Sequence, residues 1–190
     1  MGTRGIYGLR KNGKDKLTYN HYDSYPEGLG KDILTFIAEN KSKLNEVYDN
    51  IILVNEDTTP TQEQIEACKE YTNLSVSEKS TDDWYCLLRN TQGYLTPYLN
   101  GKLYMINNED FIKNSLFCEY GYIINLDENV LEFWVGFQTT PTQDNRYGTE
   151  TIEKDYGYYP CKNVLNIPLE EINIDNIDKI VETMVEKIEK

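Results

Sequence analysis

Two periods of hydrophobic and polar residues divide the chain. Alternation with period two marks the first and last thirds, and a 3.6-residue stripe marks the segments between and after them. Residues 5–9 and 16–22 alternate about Lys11-Asn12-Gly13-Lys14. Asn-Gly favours a two-residue hairpin turn because both residues tolerate positive φ. With Asn12-Gly13 as the turn, Leu9 faces Lys16, Tyr7 faces Thr18 and Arg4 faces His21. A slip of one residue would reverse the faces.

Turn formers fill 23–30, and a helix follows over 31–39, carried by Ile33, Leu34, Phe36 and Ile37. One or two helical turns over 44–48 lead into an apolar strand at 51–54. Thr59-Pro60-Thr61-Gln62 reads as a helix start, with Thr59 as cap, Pro60 in the first position and Gln62 reaching back; that helix runs to about Tyr71. Another helix over 82–89 buries Trp84, Leu87 and Leu88. Strands then take over at 103–106, at 119–126 and 130–137 as a second hairpin, and at 164–167 before Pro168. Phe133, Val135 and Phe137 are expected on one face. The stretch 139–157 reads as a long mobile loop. Ile177, Ile180, Val181, Met184, Val185 and Ile188 form an amphipathic C-terminal helix with Asp175 as its cap. The fold class that follows is α+β: one domain over 1–190, with an antiparallel sheet built from N-terminal and C-terminal hairpins and packed with several helices.

Charge then narrows the partners. Thirty-two acids oppose 19 bases, for a net charge of −13. Nucleic-acid backbones are bound chiefly by Lys and Arg, so nucleic acid is an expected partner only through acidic mimicry. No apolar run approaches 18 residues, and no leader pattern opens the chain, so the expected location is the cytoplasm, with no membrane partner. Cys68, Cys86, Cys118 and Cys161 lack the spacing of a zinc site and are read as reduced, buried thiols; no metal or cofactor is expected.

One constellation carries candidate chemistry. His21 and Asp23 share a face of an extended segment, Tyr19 falls on the same face, and the hairpin register brings Arg4 opposite His21. A histidine oriented by a carboxylate beside a cation can serve acid/base chemistry or bind an anion. The alternative is a histidine hydrogen-bonded at a strand end, with Asp23 capping the following turn. Gly30-Lys31 at a helix start can bind an anion weakly, although no phosphate-loop motif is present. Tyrosines cluster at 19, 22 and 25 and at 156, 158 and 159, as a binding surface or as core and rim packing. Thr3, Arg4, Tyr19, His21, Asp23 and Tyr25 are the candidate ligand-binding residues.

Met1-Gly2-Thr3-Arg4-Gly5, together with Tyr19-Asn20-His21-Tyr22-Asp23-Ser24-Tyr25-Pro26-Glu27-Gly28-Leu29-Gly30, resembles a group of uncharacterised phage and prophage proteins. Those proteins share the opening and an aromatic-Asp-(Ser/Gly)-Tyr-Pro-x-Gly-x-Gly element. Val135-Gly136-Phe137 in the second hairpin is similar to the same group. The resemblance implies a phage accessory protein in the host cytoplasm that binds a host protein, for example to counteract an antiviral defence system. The opening is also loosely similar to N-terminal-nucleophile hydrolases, although removal of Met1 exposes Gly2 and leaves Thr3 one residue inside. The second expectation is therefore a site for a small anion or nucleotide-like ligand, or a hydrolase, built on the N-terminal hairpin.

Overall fold

The computed structural model describes residues 2–152 and 157–189. Strands β1 (Gly5–Lys11) and β2 (Lys14–Asn20) form the expected hairpin, with Leu9 against Lys16 and Tyr7 against Thr18. Asn12 and Gly13 take φ of 53° and 72°, the left-handed pair that a two-residue turn needs. Their N–H groups donate to the two carboxylate oxygens of Asp127 at 2.7 and 2.9 Å. The second hairpin pairs β5 (Tyr120–Asn125) with β6 (Val130–Val135), and β7 (Lys162–Pro168) adds antiparallel to β6. The two hairpins join through β1 and β5, which run parallel, giving the strand order β2-β1-β5-β6-β7. Parallel neighbours need a long crossover, and here it is the helical middle of the chain.

That crossover holds α1 (Lys31–Asn40), α2 (Leu44–Asn50), β3 (Ile51–Val54), α3 (Gln62–Ala67), α4 (Trp84–Leu87) and β4 (Leu103–Ile106). Strands β3 and β4 pair in parallel as a second, two-stranded sheet. The amphipathic α5 (Ile177–Ile188) closes the chain. Tyr7, Leu9, Tyr122, Ile124, Leu131 and Phe133 project from one face of the main sheet into a core shared with α1, α2 and α5. Among the described residues no helix is long and apolar enough to cross a membrane.

Several local expectations shift. Helix α3 is capped by Thr61, with Gln64 completing the box, because Pro60 is buried ahead of the helix rather than in its first turn. Its α-helical part ends at Ala67, before a 3-10 turn at Lys69–Tyr71. Helix α4 is a single turn capped by Asp83. Ahead of α5, Asn173 and Asn176 form a capping box about a 3-10 turn, in place of Asp175. Phe137 leaves the face of Phe133: the strand ends at Val135, and Phe137 adopts φ of 55° and is exposed.

The opposite sheet face carries Ile6, Leu17, Ile123 and Trp134, covered by Ile112, Cys118 and Cys161. The segment expected as a mobile loop is, through Tyr147, a strap fixed to this face. Arg146 donates to both oxygens of Glu132 at 2.6 and 2.8 Å, and the Tyr147 hydroxyl donates to Asp15 at 2.7 Å. Arg10 completes the row with its own pairing to Asp15 at 2.9 Å. Residues 153–156 of the expected loop, with Tyr156 of the second tyrosine cluster, lie outside the described residues. All four cysteines are buried and free.

Candidate functional site

The chain leaves β2 at Asn20 and folds back over the sheet edge through the element 21–30. Ser24 anchors it. This residue is 0% exposed, its N–H donates to the Thr3 carbonyl at 3.2 Å, and its hydroxyl accepts from Asn20 Nδ2 at 2.9 Å. Its carbonyl accepts from the Tyr122 hydroxyl at 2.8 Å. With Ser24 pulled inward, Tyr22 and Tyr25 on either side point outward, 54% and 37% exposed. Asp23 between them sits in the left-handed region at φ of 53°, an uncommon conformation for a non-glycine residue. Its carbonyl accepts from the Leu29 N–H at 2.9 Å, and a Cβ on Gly28 would collide with that carbonyl. A single π-helical turn, Pro26–Gly30, then runs straight into α1. The N–H groups of Gly28, Leu29, Gly30 and Lys31 all donate to carbonyls within 23–28, so the Gly30 and Lys31 N–H groups are already committed to the chain's own carbonyls.

A second wall comes from 89–94, after α4. The Tyr7 hydroxyl donates to the Thr91 carbonyl at 3.0 Å and accepts from the Gly93 N–H at 2.9 Å. Gln92 Oε1 accepts from the His21 N–H at 3.2 Å, tying the two walls together. Between them lies a cleft of about 530 Å³ lined by Tyr22, Asp23, Tyr25, Asp32, Arg89 and Tyr94, among others. The Arg89 guanidinium carbon lies 5.7 Å from the Tyr22 ring centre. Among the described residues no carboxylate is within ion-pairing distance of Arg89, and its guanidinium donates no hydrogen bond. The Asp23 charge raises the pKa of the Tyr25 hydroxyl, and desolvation raises that of the Asp32 carboxyl.

Arg4, His21 and Asp23 do not converge. The partner of His21 is Tyr19, whose hydroxyl is 2.7 Å from Nδ1. The left-handed turn at Asp23 breaks the extended alternation that would have kept it on the His21 face, and its residue lines the cleft instead. Sheet pairing stops at Gly5 and Asn20, one step short of Arg4, whose guanidinium stacks on Phe117 at 4.8 Å. Arg4 still acts on the histidine through its field. Desolvation, then Arg89, then Arg4 lower the His21 pKa from its ordinary value. Thr3 contributes its backbone carbonyl to Ser24.

Tyr19 lines a separate pocket of about 280 Å³ that shares Gln92 with the cleft. It lies at the carboxyl ends of the parallel strands β3 and β4, lined by Glu56 beyond the first and by Ile106 and Asn108 at and beyond the second. Crevices at such strand ends are the common ligand sites of parallel sheets. Burial pushes the Tyr19 hydroxyl up to about 12. Desolvation, reinforced by Asp83 and Asp57, raises the pKa of Glu56, and a hydrogen bond with Asn108 opposes it.

No family model, curated protein or solved structure matches this chain.

The site must therefore be read from its own chemistry. No three His, Cys, Asp or Glu side chains gather to hold a metal ion among the described residues. Of the residues singled out in sequence, Asp23 and Tyr25 join the cleft and Tyr19 the pocket, while Arg4 and His21 line neither. Arg89, Gln92, Tyr94 and Glu56 were not legible as site residues. The local signal for the first three is the Gly93-interrupted, tyrosine-bearing stretch after α4; Glu56 follows β3 and has no such signal.

Proposed function

We propose that this protein binds a small nucleotide-like ligand, a planar ring bearing an anionic group, in the cleft between 22–32 and 89–94. The observation that carries this reading is Arg89: a guanidinium without a carboxylate partner among the described residues, in a chain of net charge −13, framed by three exposed tyrosines. A planar fork of donors suits phosphate or carboxylate. Tyrosine faces suit a flat ring, and stacking a base on an aromatic side chain is worth ~1–3 kcal/mol. Asp23 and Asp32 supply acceptors for sugar hydroxyls or ring amines.

Calorimetric titration with adenosine monophosphate, adenosine and inorganic phosphate tests the reading. The monophosphate is expected to bind saturably, either fragment alone more weakly, and Arg89→Ala and Tyr94→Ala each to weaken binding by about tenfold. Failure of mono- and dinucleotides and of aromatic carboxylates to bind the wild-type chain would remove the proposal.

A further inference from the structure

The pocket beside the cleft has no Lys or Arg in its lining among the described residues. Four aromatic side chains, Tyr19, Tyr85, Tyr98 and Phe111, line it, together with Leu88, Met105 and Ile106. Glu56 is the only charged residue in the lining among the described residues. No lysine or arginine lies within ion-pairing distance of Glu56 among the described residues. Arg4 and Arg89 reach Tyr19 only through their fields and line no part of the pocket. Asp57 and Asp83 add to the negative field at Glu56.

Aromatic faces are negative and attract cations, more strongly when water is excluded. Glu56, a carboxylate without an ion-pair partner among the described residues, completes the match to a positive charge carried on an apolar body. A neutral apolar molecule would give the Glu56 charge no counterion, and an anion would meet the Glu56 carboxylate and the fields of Asp57 and Asp83. We infer that this pocket is a second ligand site, for a small organic cation, with the ammonium group held between Glu56 and the tyrosine rings. The site stands on its own lining and does not rest on the proposal for the cleft.

Tetramethylammonium and choline, compared with the neutral isostere 3,3-dimethyl-1-butanol, test the inference by calorimetry and by nuclear magnetic resonance shifts of the lining residues. Both cations are expected to bind saturably, and the isostere about tenfold more weakly or not at all. Glu56→Gln is expected to abolish that selectivity. Since Glu56 is an exposed residue, the variant should keep the wild-type circular dichroism and unfolding midpoint. Tyr85→Leu, which keeps the pocket apolar but removes a ring face, is expected to weaken choline binding several-fold. Arg89→Ala, which removes a cation whose field reaches Tyr19, is not expected to weaken choline binding. Equal binding of the isostere, no saturable binding of either cation, or full retention of cation selectivity in Glu56→Gln would overturn the inference.

Discussion

Tyr7 and Tyr122 are register partners in the parallel pair of β1 and β5, and their hydroxyls hold opposite walls of the cleft. Tyr7 reaches Thr91 and Gly93 of one wall, and Tyr122 reaches Ser24 of the other. Both rings are buried in the same core, so sheet geometry, together with the His21–Gln92 hydrogen bond between the loops, sets the separation of the walls.

This relationship predicts how two conservative substitutions behave. Tyr7→Phe leaves the Gly93 N–H without a partner, whereas the Thr91 carbonyl keeps the Tyr94 N–H at 3.0 Å; Tyr122→Phe leaves the Ser24 carbonyl without a partner. Each should destabilise the protein by about 1–3 kcal/mol in urea unfolding, and by similar amounts because each strands one buried group. Both should also weaken nucleotide binding while leaving choline binding in the neighbouring pocket less affected.

The chain contains one histidine, so its titration can be followed without ambiguity. Desolvation, Arg89 and Arg4 lower the His21 pKa below its ordinary 6.5. The unfolded chain therefore holds more protons between the two midpoints, and stability falls as pH drops below about 6.5 toward the folded value. A nuclear magnetic resonance titration should place the His21 midpoint below 6.5, and Arg89→Ala should move it back upward. A wild-type midpoint at or above 6.5 would contradict the arrangement of cations around the ring.

The strap on the outer sheet face makes an asymmetric prediction. Glu132 keeps 3% of its side chain exposed, whereas Arg146 keeps 27%. Arg146→Ala strands a buried carboxylate and should cost ~3–5 kcal/mol. Glu132→Ala leaves a guanidinium that can turn toward water, and its cost should be smaller. Equal losses in urea unfolding would show that the two charges are desolvated alike.

Asp127 links the two hairpins by accepting from the Asn12 and Gly13 N–H groups, and these bonds lower its pKa from the usual 3.8. Its contribution is present above 3.8 and is lost as pH falls through the depressed folded value. Asp127→Ala should lower the unfolding midpoint at neutral pH and flatten the acid limb of the stability profile. An acid limb identical in wild type and variant would sink this assignment.

The sequence by itself determined the elements whose information is local. Asn12-Gly13 specified the turn and thereby the pairings of Leu9 with Lys16 and Tyr7 with Thr18, because few residue pairs accept two successive positive φ angles. The 3.6-residue stripe fixed α5, and alternation fixed the second hairpin. Cap positions moved by two residues because neighbouring Thr and Asn side chains compete for the same role, and packing chooses among them. What only the tertiary structure decided was the parallel seam between β1 and β5, whose partners are more than a hundred residues apart and carry no local signal. That seam brings Tyr7 beside Tyr122, and through them 22–25 opposite 89–94. Arg89 looks ordinary in sequence because its defining property is that no carboxylate among the described residues comes within ion-pairing distance, and that depends on where the acidic side chains come to rest once the chain has folded.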